Sequence, residues 1–113
     1  MTPLAPGSTI GILGGGQLGR MLALAAARLG FDIAILDPEP DCPASRVCAR
    51  HLCAPYDDQD ALAELARTSG VVTLEFENVP AGALATLAGL GVPVAPGPRA
   101  LAAAQDRIEE KTF

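Results

Sequence analysis

The hydrophobic pattern of the chain changes period several times. Residues 8–13, "STIGIL", end in a short apolar run that predicts a buried strand. After three consecutive glycines a helix is expected to start at Gln17 or Leu18. Leu18, Met21, Leu22, Ala25 and Leu29 then recur at helical spacing, and Gly30 follows as a helix stop. "FDIAILD", 31–37, alternates into a second strand ending on Asp37. "PEPDCP" breaks the chain with three prolines. A short helix is expected over 43–51 and a brief strand near 52–54. "DDQDALAELARTSG", 57–70, opens on acids and closes on glycine, which suits the dipole of a helix. "VVTLEF", 71–76, is β-branched and reads as a strand. Residues 80–90 read as a helix with Pro80 near its first position. "VPVAP", 92–96, reads as a final short strand, and 98–113 as a last helix.

Strand and helix alternate throughout, so right-handed βαβ units on a parallel sheet are expected. The fold class is α/β: a three-layer, Rossmann-like open parallel sheet with helices on both faces. Such sheets bind ligands beyond the carboxyl ends of their strands. Gly14–Leu18, Asp37 and Glu75–Asn78 all fall at such ends. No internal repeat or low-complexity linker divides the chain.

Composition narrows the class. One domain with one core fits 113 residues, and half of them are hydrophobic. A net charge of −5 argues against a binder of duplex nucleic acid. No run approaches the length of a membrane span, and "MTPLAPGST" has neither the basic nor the apolar part of a signal peptide. A cytoplasmic protein without membrane contact is expected. Cys42, Cys48 and Cys53, with the single histidine His51 among them, do not follow zinc-site spacing. They are expected to be small apolar packing groups, with no metal assigned to them.

Gly14, Gly16 and Gly19 match G-x-G-x-x-G. The first glycine would let the chain turn, the second would let backbone approach a ligand, and the third would let helix pack on strand. Amides at the helix start favour an anion. Asp37 stands near the place where a dinucleotide fold puts its ribose-binding acid. Alone, the fingerprint supports an NAD(P)-binding module of a dehydrogenase as well as a turn with no ligand. A P-loop is excluded, because no Lys-Ser/Thr pair follows the glycines.

Two further segments separate these readings. "EFENVP", 75–80, puts Glu75 and Glu77 on one face at the end of a strand. Paired acids there suit a site that holds an amine or hydroxyls; the plain alternative is one helix-start acid and one solvated acid. "AQDRIEEKTF", 104–113, ends an apolar helix in charge. Asp106 with Glu110 and Arg107 with Lys111 are like-charge i,i+4 pairs, so the cluster does not serve local helix stability.

"GILGGGQLGRML", "FDIAILDPEPDCPA", "TLEFENVP" and "AQDRIEEKTF", in this order and spacing, closely resemble the N-terminal region of the 5-(carboxyamino)imidazole ribonucleotide synthase family. These are ATP-grasp enzymes of bacterial and fungal purine biosynthesis. The resemblance runs from about Ser8 to Phe113. Formate-dependent glycinamide ribonucleotide transformylase and biotin carboxylase share the domain but vary these motifs. The resemblance implies a pre-ATP-grasp domain over 1–97 and a linker helix over 98–113. It implies an activity that carboxylates 5-aminoimidazole ribonucleotide with bicarbonate, using ATP and Mg2+, in a protein that is a homodimer at full length. Gly16, Gln17, Leu18 and Glu75 look like contacts to the ribonucleotide, and Arg107 like an arginine that reaches ATP. The metal ligands and ATP clamp of the family follow this region, so the chain alone is expected to be inactive. Two alternatives stay open: a dinucleotide module, and a structural fragment that only docks other domains.

Overall fold

In a computed structural model, residues 7–75 and 80–95 are described. Within them, four parallel strands form one sheet. The strands are β1 (Thr9–Leu13), β2 (Asp32–Leu36), β3 (Arg50–Leu52) and β4 (Val71–Leu74), in the spatial order β3-β2-β1-β4. Helix α1 (Gln17–Arg28) joins β1 to β2, α2 (Gln59–Thr68) joins β3 to β4, and α3 (Ala81–Gly89) follows β4. The β1–β2 register pairs Ile12 with Ile35 and Leu13 with Leu36. Side chains alternate between faces, so the sheet builds two cores. Ile10, Ile12, Ile33, Ile35 and Val71 pack with Leu22, Ala23 and Ala26 of α1. Leu13, Ala34, Leu36 and Val72 pack with Leu62 and Leu65 of α2 and with Ala83 and Leu87 of α3. Helices thus cover both faces, as the alternating pattern predicts.

Several boundaries differ from the sequence reading. The helix expected over 43–51 is one short 3-10 turn, Pro43–Arg46, and β3 starts at Arg50 within the same stretch. The chain there is needed for pairing: β3 takes its register from β2, Ala34 with Arg50. The final strand expected over 92–96 is a single parallel bridge, Val72 with Val94, within the described residues. The apolar repeat of α1 marks its buried face only in part: Leu22 is buried and Leu29 packs against the core, but other members of the repeat do not. Leu18 is 49% exposed and Met21 65% exposed, whereas Gly19, Leu22, Ala23 and Ala26 face the sheet. Small residues let the helix lie close to the strands.

Local signals end the helices where expected. α1 stops in a Schellman motif: Gly30 has φ +85°, its N–H donates to Ala27 O, and Phe31 N–H donates to Ala26 O. α2 starts on Asp58, whose carboxylate accepts from Ala61 N–H at 2.9 Å. Asp58→Ala should therefore cost about 1 kcal/mol of stability by loss of this cap, read from chemical denaturation.

The connectivity places the ligand crevice. From β1 the chain winds outward to β2 and β3, then crosses to β4 on the other side of β1. The topological switch point therefore lies between β1 and β4, at their carboxyl ends.

Candidate functional site

Two segments meet at that point: the glycine loop after β1 and Glu75 after β4. Gly14 takes φ +105°, a turn that side chains oppose. Its N–H donates to Leu36 O at 2.9 Å. Gly15 is held from both sides. Its N–H donates to Asp37 Oδ2 at 2.8 Å, and its carbonyl accepts from Ala44 N–H at 2.7 Å. A Cβ on Gly15 would lie 2.5 Å from Cys42 Sγ, so this middle glycine is also required.

Gly16 caps α1 but has no side chain to satisfy the first turn. Glu75, 56 residues away in sequence, does so instead: its Oε2 accepts from Gly19 N–H at 2.8 Å. The strand itself delivers this acid, since Glu75 N–H continues the ladder to Leu13 O at 2.9 Å. The helix dipole favours a carboxylate at this point. A Cβ on Gly16 would lie 2.5 Å from Glu75 Oε1, and one on Gly19 would lie 2.8 Å from Gly14 O. Gly16 and Gly19 are therefore the room that Glu75 and the loop occupy.

The sequence-predicted ribonucleotide contacts come together here. Gly16 and Glu75 are half-buried, while Gln17 and Leu18 are exposed on the first turn. Among the described residues, no hydrogen bond takes the N–H of Gln17 or Leu18. Arg107 and the whole 98–113 helix lie outside the described residues, as do Glu77 and Asn78.

Asp37 does not point to solvent as a free ribose acceptor. Besides Gly15 it accepts from Tyr56 O–H on Oδ2 at 3.1 Å and from Glu39 N–H on Oδ1 at 2.8 Å. Burial pushes the Tyr56 phenol well above its ordinary range, and the charge of Asp37 and its hydrogen bond add to that. The phenol thus stays protonated, and a donor, at neutral pH. Sequence reasoning missed Tyr56. The available signal was that it is the chain's single tyrosine, in the loop after the strand beside the Asp37 strand.

The cysteines divide. Cys42 is buried against the loop, and burial raises its thiol pKa, helped by the charge of Asp37. Cys48 is half-buried with its thiol likewise raised, first by burial. Cys53 is exposed, so the packing role expected for all three does not hold for it. Its strand ends one residue earlier, which leaves Cys53 in the connecting loop. Cys42 Sγ lies 3.8 Å from His51 Nε2, but among the described residues no group of three His, Cys, Asp or Glu side chains is arranged to hold a metal ion.

An open parallel sheet with its crevice at the β1–β4 switch point defines a Rossmann-like α/β class. In this instance carboxylates take two of the amides of the loop and first turn, those of Gly15 and Gly19. The chain belongs to the ribonucleotide synthetase preATP-grasp domain family, whose pattern matches residues 7–105. It is 58% identical over 112 residues to N5-carboxyaminoimidazole ribonucleotide synthase of Brucella melitensis, covering 99% of this chain and 31% of that protein. Identity to the synthase of Staphylococcus haemolyticus is 46%, over 93% of this chain and 28% of that one. Among solved structures, the Staphylococcus aureus synthetase complexed with ADP aligns with a TM-score of 0.79 and 40% identity, over 89% of this chain and 27% of that one. The Aspergillus clavatus synthase in complex with ADP and 5-aminoimidazole ribonucleotide aligns at 0.69 and 37%, over 84% and 25%. The chain thus spans about a third of the length of the curated relatives it matches.

Proposed function

We propose that this chain is the ribonucleotide-binding domain of an ATP-dependent ligase, one that carboxylates the amine of 5-aminoimidazole ribonucleotide with bicarbonate in purine biosynthesis. The observation that carries the reading is Glu75, anchored at the switch point by Gly19 N–H. A carboxylate fixed there accepts hydrogen bonds from an amine or from ribose hydroxyls. The N–H groups of Gln17 and Leu18, on the same first turn, donate to an oxygen-rich ligand. The names of the relatives and the ribonucleotide bound to the Aspergillus clavatus protein support the same substrate.

The domain's part in the reaction is binding and orientation. A fixed acceptor beside the amine holds the nucleophile in one pose, which lowers the entropic part of the barrier. Among the described residues no group of three His, Cys, Asp or Glu side chains is arranged to hold a metal ion. ATP phosphates and their metal are assigned to the part of the relatives' length that this chain does not span. Arg107, within 98–113, is proposed to reach ATP. The full-length protein is proposed to be a cytoplasmic homodimer. Among the described residues no helix is long and apolar enough to cross a membrane.

A dinucleotide reading needs an acid free to bind ribose at the end of β2. Asp37 occupies that place but is taken up by Gly15 and Tyr56. The full-length protein, given ATP, Mg2+, bicarbonate and 5-aminoimidazole ribonucleotide, should release phosphate at a rate that depends on the ribonucleotide, and NAD should not bind. Ribonucleotide-independent phosphate release, or saturable NAD binding, would overturn the assignment.

A further inference from the structure

The proposed contacts at Gly16–Leu18 lie on a loop, and a loop contributes to binding only if its backbone is held in one conformation. Backbone bonds from Leu36 and Ala44 fix Gly14 N–H and the Gly15 carbonyl. The Gly15 N–H is left to a side chain, Asp37. That carboxylate is in turn fixed at three points. Tyr56 O–H and Gly15 N–H meet on Oδ2, and Glu39 N–H meets Oδ1. His51 Nε2 lies 3.1 Å from the Asp37 carbonyl, which ties the same residue's backbone to β3. Tyr56 is itself half-buried, and its apolar body packs with the α2-side core. The chain of contacts runs from that core, through a phenol and a carboxylate, to the N–H of Gly15, the residue immediately before Gly16.

We propose that Asp37 and Tyr56 form a positioning pair that holds the glycine loop in the conformation that receives the ribonucleotide. Neither residue touches the ligand; both act through the Gly15 peptide. The substrate in this statement rests on the reading given above, whereas the ordering of the loop does not. The arrangement also accounts for specificity. The acid that could read a dinucleotide ribose is withdrawn into the loop, and a second anion brought there would face its charge.

The test uses the full-length protein and Tyr56→Phe, which removes one hydroxyl and keeps the ring. Two quantities are read: hydrogen–deuterium exchange of peptides spanning Gly14–Gly16, and KM for 5-aminoimidazole ribonucleotide and for ATP. Loss of a hydrogen bond to a charged group should speed exchange at the loop and raise the ribonucleotide KM about five- to tenfold. The KM for ATP should stay within about twofold, on the same reasoning that the bond lies away from the ATP residues. Asp37→Asn, which keeps an acceptor but removes the charge, should move both readouts further in the same direction. A merely structural pair would lower stability without separating the two KM values. Unchanged exchange in both variants overturns the proposal. Faster exchange with an unchanged ribonucleotide KM also overturns it, because the loop's order would then be irrelevant to binding. If the wild-type protein does not use the ribonucleotide at all, the functional reading fails, and the exchange measurement alone decides whether the pair orders the loop.

Discussion

Glu75→Gln in the full-length protein should lower kcat/KM for 5-aminoimidazole ribonucleotide about ten- to a hundredfold, with little change in KM for ATP. The substitution keeps the side chain's volume, and the amide oxygen can still accept from Gly19 N–H, which now binds Oε2 at 2.8 Å. What is lost is the negative charge and one acceptor. A hydrogen bond to a charged group contributes roughly 1.5–3 kcal/mol, which converts to that range of rate. The charge also stabilises the start of α1 by about 0.3–1 kcal/mol, so a small loss of stability should accompany the kinetic effect. Glu77→Gln is the control. If Glu75→Gln behaves as wild type while Glu77→Gln is crippled, the wrong carboxylate of the pair has been assigned.

The sequence pattern disclosed the class of fold because strand and helix periods alternate cleanly and each helix carries a start or stop signal. Asp58 and Gly30 are such signals, and both act where they were expected. The boundary errors share a cause. Residues 50–52 have ambiguous local preference, and only pairing with β2 makes them a strand. A single sequence does not show that partner. The shifted face of α1 has another cause. Hydrophobicity alone nominates Leu18 and Met21, but close approach to a sheet selects small residues, and Gly19, Ala23 and Ala26 win.

The site was legible in its parts but not in its wiring. Gly14, Gly16, Gly19, Asp37 and Glu75 each stand out in the sequence. That Asp37 bonds Gly15, and that Glu75 bonds Gly19, could not be read there, because the partners are 22 and 56 residues apart. The wiring alters the meaning of the motif. A G-x-G-x-x-G turn usually leaves its amides for a pyrophosphate. Here Gly16 and Gly19 are small so that a carboxylate of the same chain can reach the helix start.

Gly19→Ala tests that statement most severely, because intrinsic propensity and packing predict opposite signs. Inside a helix, alanine is favoured over glycine by about 0.8–1 kcal/mol. A Cβ at this position, however, would lie 2.8 Å from Gly14 O, a backbone atom, and 2.7 Å from Glu75 Oε2. The backbone oxygen cannot rotate away, so either α1 lifts from the sheet or the glycine turn is distorted. Overpacking of this kind costs about 1–3 kcal/mol. Either route also displaces Glu75 from Gly19 N–H, so ribonucleotide use should fall at least as far as in Glu75→Gln. Gly82→Ala supplies the comparison. Gly82 lies on α3 with nothing within 4 Å of a built Cβ, so alanine there should be neutral or stabilising by up to about 1 kcal/mol. Chemical denaturation of the two variants should therefore move in opposite directions. A Gly19→Ala protein as stable as wild type, with normal ribonucleotide kinetics, would mean that the helix start has room to spare and that Glu75 is not held there by close fit.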